Sequence, residues 1–156
     1  MRIYIPATSA DIGRDRLRTR TVHAVTPELR EAMPGEEEEV LESVAMCAAA
    51  DDSLRVLAAL AVGGETIRPL RVVVAASVRA DDVERAEGEN LLPTARRLVS
   101  PLDWDAVDSI HVDDDEALDD LVAAIEGDDE AFKRVAEEDL MWFDAKEREQ
   151  LVAYFS

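Results

Sequence analysis

Short apolar runs alternate with polar, helix-like segments along the whole chain. Five runs predict β-strands, because they alternate apolar with polar residues or are rich in β-branched residues: 2–6, 21–25, 70–78, 109–112 and 140–143. Residues 70–78, LRVVVAASV, are apolar almost throughout, which is typical of a strand buried on both faces in the middle of a sheet. Residues 95–100, ARRLVS, predict one further strand.

Helix signals occupy the segments between these runs. Thr8 with Asp11 has the spacing of a capping box, and Thr26 before Pro27 is a typical helix start. Asp144 with Glu147 predicts the start of a terminal helix. The remaining predicted helices cover residues 8–18, 101–107, 114–127 and 130–138, and a surface loop is predicted over 79–93.

The longest predicted helical region covers residues 36–61. Its apolar stripe consists of Val40, Val44, Cys47, Leu54, Ala58 and Ala61. Asp51 falls on the stripe, so either a new helix starts at residues 51–53 or a carboxylate is buried. We favour a new helix start, because Asp and Ser cap helices well and an unpaired buried carboxylate is costly.

Strands that alternate with helices predict an α/β fold, or an α+β one, with helices packed on a mixed sheet of about four to six strands. A chain of 156 residues is long enough to bury a core without disulfides or metals. It has no internal repeat and no linker-like segment, so we expect a single domain over residues 1–156.

The chain is strongly acidic, with a formal net charge of −19. Its first 34 residues are slightly basic, so the acidic groups are concentrated in the remainder. Such a charge argues against direct nucleic-acid binding, which needs a basic surface, and against binding to anionic membranes. It favours a basic protein partner, although a saline environment would select the same composition without one.

The cellular location is predicted from three features of the sequence. Cys47 is the only cysteine, so no intramolecular disulfide can form and a reducing compartment is expected. Residues 1–13 lack the apolar segment of a signal peptide. The longest apolar stretch, 40–62, is interrupted by charged residues, so no membrane span is expected. These features predict a soluble cytoplasmic protein.

Two histidines carry the candidate chemistry. His111 lies in a predicted strand and Asp113 follows it, and alternating strand positions share a face. With His23 in a neighbouring strand they would form an acid–base or metal cluster at the edge of the sheet. The spacing matches no known metal site, however. We favour the view that each histidine is a hydrogen-bonded structural residue, and we expect no metal and no cofactor.

The acidic run behind His111 has a structural and a functional interpretation. Asp113, Asp114 and Asp115 supply the cap and first-turn charges of the next predicted helix, while Asp119 and Asp120 face water. The same five side chains are the candidate contacts to a basic partner. We favour the structural interpretation, because charge runs are most often solvated faces.

Arginines recur at every second position of 14–20. Arg14, Arg16, Arg18 and Arg20 are candidates for an anion or phosphate site, or they pair with the acidic surface of the protein itself. No glycine-rich phosphate loop accompanies them, and the nucleophile-elbow, zinc-protease and dithiol motifs are absent. Cys47 is expected to be inert, and Trp142 is either a stacking platform or a core residue.

Four segments resemble one protein family: MRIYIPAT, HAVTPELREAMPGEEEE, SIHVDDD and DLMWFDAKE. The chain is similar over nearly its whole length to an uncharacterised actinobacterial family of small acidic proteins, a domain of unknown function. The resemblance implies a bacterial cytoplasmic protein. It implies no activity, cofactor or catalytic residue.

Two functions therefore remain open. The leading hypothesis is a non-enzymatic binding or regulatory protein that uses an acidic surface against a basic protein partner. The alternative is a small enzyme or ligand-binding protein with a strand-edge site around His111, Asp113 and His23. Whether the chain is an enzyme, and its oligomeric state, are not determined by the sequence.

Overall fold

The computed structural model describes residues 1–156 and contains six α-helices and nine β-strands. The helices are α1 (Ser9–Ile12), α2 (Pro27–Ala32), α3 (Glu38–Val62), α4 (Leu118–Ile125), α5 (Asp129–Ala136) and α6 (Arg148–Phe155). The strands are β1 (Arg2–Ala7), β2 (Arg16–Leu17), β3 (Thr21–Ala24), β4 (Val72–Ser77), β5 (Val83–Arg85), β6 (Ala95–Leu98), β7 (Leu102–Asp103), β8 (Val107–Val112) and β9 (Met141–Asp144). None of the helices combines the length and apolarity that a bilayer span requires.

Seven strands form one sheet in the order β5–β6–β3–β1–β4–β8–β9, and β2 pairs with β7 separately. The predicted class, helices layered on a sheet with mixed helix and strand content, is confirmed, and β4 lies inside the sheet as predicted. The sheet is larger than expected, and every pairing is antiparallel, so the expectation of a mixed sheet was wrong. The seventh strand is the short β5, which lies inside the predicted loop 79–93.

The two faces of the sheet are covered differently. One face carries the larger apolar cluster, in which the strand residues Ile3, Val74 and Ile110 are clustered with side chains of α1, α4 and α6, such as Ile12, Leu121 and Leu151. The opposite face is covered in part by α3. Because successive side chains of a strand point to opposite faces, residues two apart on β1, β4 and β8 share this α3-covered face.

Helix α3 is continuous through Asp51, so the predicted new helix start was wrong. Leu54 is the one residue of the predicted stripe that is buried, and Cys47 is exposed. The rest of the buried face includes Leu41, Ala45 and Leu57. Alanines occupy several faces of this helix, so the apolar pattern scarcely distinguishes one face from the next. The carboxylate of Asp51 is half-buried beside a cleft, which is why its cost does not end the helix.

The predicted helix starts agree with the structure better than the predicted apolar stripe of α3 does. The capping box of Thr8 and Asp11 is present, although α1 ends at Ile12 instead of continuing to residue 18. The Thr26 hydroxyl accepts a hydrogen bond from the backbone N–H of Leu29 at 3.0 Å. The helix predicted over residues 101–107 is a single 3₁₀ turn, Trp104–Ala106, that follows β7.

Candidate functional site

A cleft of about 530 Å³ lies between the first half of α3 and the part of the sheet that α3 leaves uncovered. We call it the α3–β8 cleft. Polar side chains line it from β1, α3, the start of β4, β8 and the segment after α5, and they include Arg2, Tyr4, Glu42, Asp51, Arg71, His111, Glu138 and Asp139. Strand pairing places Tyr4 and His111 on one face of the sheet, because Tyr4 lies opposite Ala75 on β4 and Val73 lies opposite His111.

Arg71 forms the floor of the α3–β8 cleft and is only 1% exposed. Its Nε donates to Asp113 Oδ2 at 2.8 Å and its Nη2 donates to Asp113 Oδ1 at 2.7 Å. The backbone N–H of Arg71 also donates to Asp113 Oδ2, at 2.9 Å. The guanidinium is therefore held rigidly, while its Nη1 makes no hydrogen bond to the protein and remains available on the cleft side.

The role of Asp113 in the structure therefore differs from the roles that the sequence predicted for it. It is buried against Arg71, so it belongs neither to an exposed acidic surface nor to an open ligand set. Its carboxylate accepts three hydrogen bonds from Arg71, two at Oδ2 and one at Oδ1. Its role in the structure is to position that arginine.

Tyr4 is the second nearly buried polar group of the cleft, at 6% exposure. Its ring packs with Ala45 and Ala49 of α3, and the guanidinium carbon of Arg2 lies 5.8 Å from the ring centroid. Its hydroxyl makes no hydrogen bond to the protein. Burial raises the pKa of Tyr4, so the hydroxyl is protonated and can donate as well as accept.

His111 is half-buried on the same face of the sheet. Its Nε2 lies 2.9 Å from the hydroxyl of Ser109, and its Nδ1 has no partner in the protein. Burial, helped by the positive charge of Arg2, lowers the pKa of His111 to about 4. The imidazole is therefore neutral at neutral pH, with one nitrogen free for a ligand.

Asp51 and Cys47 complete the cleft from the α3 side. The Asp51 carboxylate forms no hydrogen bond or ion pair, and burial raises its pKa. Cys47 is exposed as a residue, but its thiol is partly shielded from water, and this shielding, together with the charge of Asp51, raises the pKa of the thiol. A thiol with a raised pKa is a poor nucleophile, so Cys47 provides a weak polar contact instead of a reactive group.

His23 lies far from His111. Strands β3 and β8 are three places apart in the sheet, which corresponds to about 14 Å at the usual strand spacing. His23 is buried, with Nδ1 2.7 Å from Thr94 Oγ1 and Nε2 2.5 Å from Asp52 Oδ2. The series Thr94–His23–Asp52 has the order of a catalytic triad, but Thr94 is only 1% exposed and offers a substrate no access.

Three of the four candidate arginines border a second cleft of about 690 Å³, on the side of α3 nearer β3. Arg20 is bound to Asp11 through two hydrogen bonds of 3.0 and 3.1 Å, and Arg14 lies 3.7 Å from the same carboxylate. Arg18 has no ion pair and lines the cleft, whereas Arg16 lies outside it. Arg14, Arg18 and Arg20 therefore lie around one cleft, and Asp11 neutralises part of their positive charge.

The other predicted acids remain on the surface. Asp114 caps the 3₁₀ turn Asp115–Ala117, and Asp115 accepts a hydrogen bond from the Tyr154 hydroxyl at 2.7 Å. Asp119 is exposed, and Asp120 pairs with Arg134 at 2.9 Å. No three His, Cys, Asp or Glu side chains are placed to share one metal ion.

Sequence reasoning found His111 but missed the groups around it. One available signal was Arg71, a charged residue inside the apolar run 70–78, which is expected to be paired when buried. A second was Asp51 on the helix stripe. Trp142 lies directly opposite His111 on β9 and is 60% exposed, so it belongs to the surface beside the cleft and not to the core.

Comparison with known proteins gives a family and no activity. No curated protein matches the chain, and no solved structure matches it. The model of one family, described as a family of unknown function (DUF6912), matches residues 1–152. Because this match covers nearly the whole chain, the protein belongs to the DUF6912 family.

Proposed function

We propose that this protein binds a small polar molecule in the α3–β8 cleft. One observation carries the proposal: Arg71 Nη1 and the Tyr4 hydroxyl belong to nearly buried side chains, lack partners within the protein, and line one cleft. Neither atom is fully buried, so both face water in the cleft, and the acceptor of a bound molecule can take the place of that water. Clefts with a few convergent polar groups are the usual form of small-molecule sites.

The cleft is suited to binding more than to catalysis. Arg71 is fixed by Asp113 before any ligand arrives, so little order is lost when a ligand accepts its hydrogen bond. A hydrogen bond to a charged group contributes about 1.5–3 kcal/mol. His111 is a weak base because its pKa is only about 4, and the raised pKa of Cys47 leaves it a protonated thiol at neutral pH.

The test is a thermal-shift screen with small amines, carboxylic acids and neutral amides, followed by titration calorimetry of each compound that stabilises the protein. Tyr4→Phe removes only the hydroxyl and should weaken the binding of a cleft ligand about twofold to twelvefold, since one hydrogen bond contributes about 0.5–1.5 kcal/mol. Tyr154→Phe is the matched control, because Tyr154 is exposed and lies outside the cleft. A screen without ligands, or ligands that Tyr4→Phe does not weaken, would overturn the proposal.

We also propose a second function, the binding of a basic protein segment, for the acidic α4–α5 surface, which we define as residues 114–137. Ten acidic and two basic side chains occur there. Only Asp120 and Glu130 form ion pairs, so most of this charge is not neutralised within the chain. Leu118 and Val122 lie one turn apart among these acids and are each 38% exposed, which fits the apolar side of a basic amphipathic helix.

A synthetic lysine- and leucine-containing amphipathic peptide tests the second function. Its affinity should fall steeply with salt and should fall further in the double variant Asp119→Asn/Glu126→Gln. The control is Glu87→Gln/Glu89→Gln, which makes the same charge change on an exposed loop elsewhere. Equal losses in the two double variants would contradict the proposal, because they would indicate attraction to net charge alone. We further propose that the protein is bacterial and cytoplasmic, because four of its segments resemble an actinobacterial family of small acidic proteins.

A further inference from the structure

The α3–β8 cleft has an excess of negative charge. Five carboxylates line it, from Glu39, Glu42, Asp51, Glu138 and Asp139. Two arginines oppose them, and the charge of Arg71 is already balanced by Asp113 at the cleft floor. Arg2 at the rim is the remaining cation, and His111 adds no positive charge because it is neutral. A molecule that enters this cleft therefore meets acceptors and negative charge on most sides.

Asp51 marks the position where a positive charge is most favourable. Its carboxylate is half-buried, has no hydrogen-bond partner and points toward the cleft from the middle of α3. Burial raises the pKa of Asp51, and the nearby charges of Arg55 and Arg71 offset this only in part. An unpaired carboxylate that is partly removed from water is costly, and a cation placed beside it relieves the cost.

The donors at the floor define the other end of the ligand. Arg71 Nη1 and the Tyr4 hydroxyl both offer N–H or O–H groups to an acceptor, and both side chains are fixed by packing or by Asp113. A simple cation without an acceptor would make no hydrogen bond with either donor. A simple anion would satisfy them but would be repelled by the surrounding carboxylates.

We propose that the ligand of the α3–β8 cleft is a small organic cation that carries a protonated amine and a separate acceptor group. The amine pairs with Asp51, and the acceptor receives hydrogen bonds from Arg71 Nη1 and Tyr4 Oη. This inference rests on the proposed function, since it names the class of the molecule that the same cleft binds. The absence of any three-residue metal cluster among the carboxylates and His111 favours an organic cation over a metal ion.

The test compares three small probes by titration calorimetry on the full chain at fixed salt. Lysinamide carries protonated amines and a carbonyl acceptor, N-acetylalaninamide is neutral with similar acceptors, and glutarate is an anion. Lysinamide should bind at least tenfold more tightly than either of the others. A preference for glutarate or for the neutral amide would overturn the inference.

Two variants locate the binding. Asp51→Asn removes the charge from a side chain that forms no hydrogen bond, so the fold should be retained, and it should weaken lysinamide at least tenfold. Asp119→Asn makes the same charge change on the exposed surface of α4 and should leave the affinity within twofold. Equal losses in both variants would overturn the inference, because they would reflect net charge and not the cleft.

The outcome of the wider screen separates this inference from the proposed function. If lysinamide does not bind but a carboxylic acid or neutral amide binds and is weakened by Tyr4→Phe, the cleft is a binding site and the organic-cation class is wrong. If no compound of any class binds in the cleft, both the function and the class are wrong. If the cleft ligands are amines, both are supported.

Discussion

Arg71 and Asp113 form a two-point ion pair that joins the start of β4 to the end of β8 at the floor of the α3–β8 cleft. The two residues are 42 positions apart in the chain, and both are 1% exposed. A pair of this kind is costly to desolvate, so it is weak evidence for stability by itself. Its effect on the structure is geometric, because it fixes the direction in which the free Nη1 of Arg71 points.

Asp113→Asn should lower the free energy of unfolding by about 3–5 kcal/mol, because Arg71 is left as a buried charge without a counterion. Urea denaturation at pH 7 measures the change. The double variant Arg71→Met/Asp113→Leu should recover much of the loss, since both charges are removed together. A loss below about 1 kcal/mol for the single variant would show that Arg71 reaches water without moving the fold.

The titration of His111 should make the protein less stable in mild acid. Its pKa is 6.5 in the unfolded chain and about 4 in the folded protein, mainly through burial. The unfolded chain therefore binds a proton at higher pH, so stability is fully present above pH 6.5 and is lost as the pH falls toward 4. Between pH 7 and pH 5 this single group costs about 2 kcal/mol.

His111→Gln isolates this contribution. The variant keeps a side chain that can bond to Ser109 but does not titrate, so it should lose about 2 kcal/mol less than the parent between pH 7 and pH 5. Urea denaturation at the two pH values gives the difference. Parallel losses in the parent and the variant would mean that the imidazole is well solvated in the folded protein.

Ser53 fastens α3 to the sheet. Its hydroxyl donates to the carbonyl of Ala7 at 2.7 Å and accepts from the backbone N–H of Val72 at 3.0 Å. Ser53→Ala should reduce the free energy of unfolding by about 2–3 kcal/mol, because it leaves a buried N–H and a buried carbonyl without that partner. Ser43→Ala, an exposed change on the same helix, should be nearly neutral, and an equal effect of both variants would contradict this role.

Asp51→Asn should raise the stability of the protein at neutral pH. The folded-state pKa of Asp51 is raised, so its contribution favours folding at low pH, where the carboxyl is protonated, and is lost as the pH rises through the folded pKa. The stabilisation should therefore be present at pH 7 and absent at pH 3. Thermal unfolding at both pH values checks this, and a variant that is less stable at pH 7 would indicate that the carboxylate has a structural partner.

Local chemistry was readable from the sequence, whereas pairing across the chain was not. Thr26 and Pro27 start α2 as predicted because a cap depends only on neighbouring residues. Strand direction depends on which strands meet, and no local pattern distinguished the antiparallel sheet from a mixed one. The stripe of α3 was misplaced because small alanines surround much of the helix and allow close packing on more than one side.

The candidate site was predictable only in part, for the same reason. The sequence identified His111 as a strand residue that could bind a ligand. The polar groups that line the cleft with it come from β1, α3, the start of β4 and the segment after α5. His23 was grouped with His111 because they are the two histidines of the chain and both lie in predicted strands. Two strands, β1 and β4, lie between them in the sheet, and this order is determined only by the tertiary structure.

The most direct measurement of the central claim is a pair of amide ¹H–¹⁵N spectra of the full chain, without and with lysinamide. The account predicts that the largest shifts fall on residues of the α3–β8 cleft, with Tyr4, Asp51, Arg71 and His111 moving together along one titration curve. Tyr4→Phe should shift that curve to higher ligand concentration. Shifts confined to the acidic α4–α5 surface or to the arginine cleft, with these four residues unmoved, would contradict the claim that the α3–β8 cleft is the binding site.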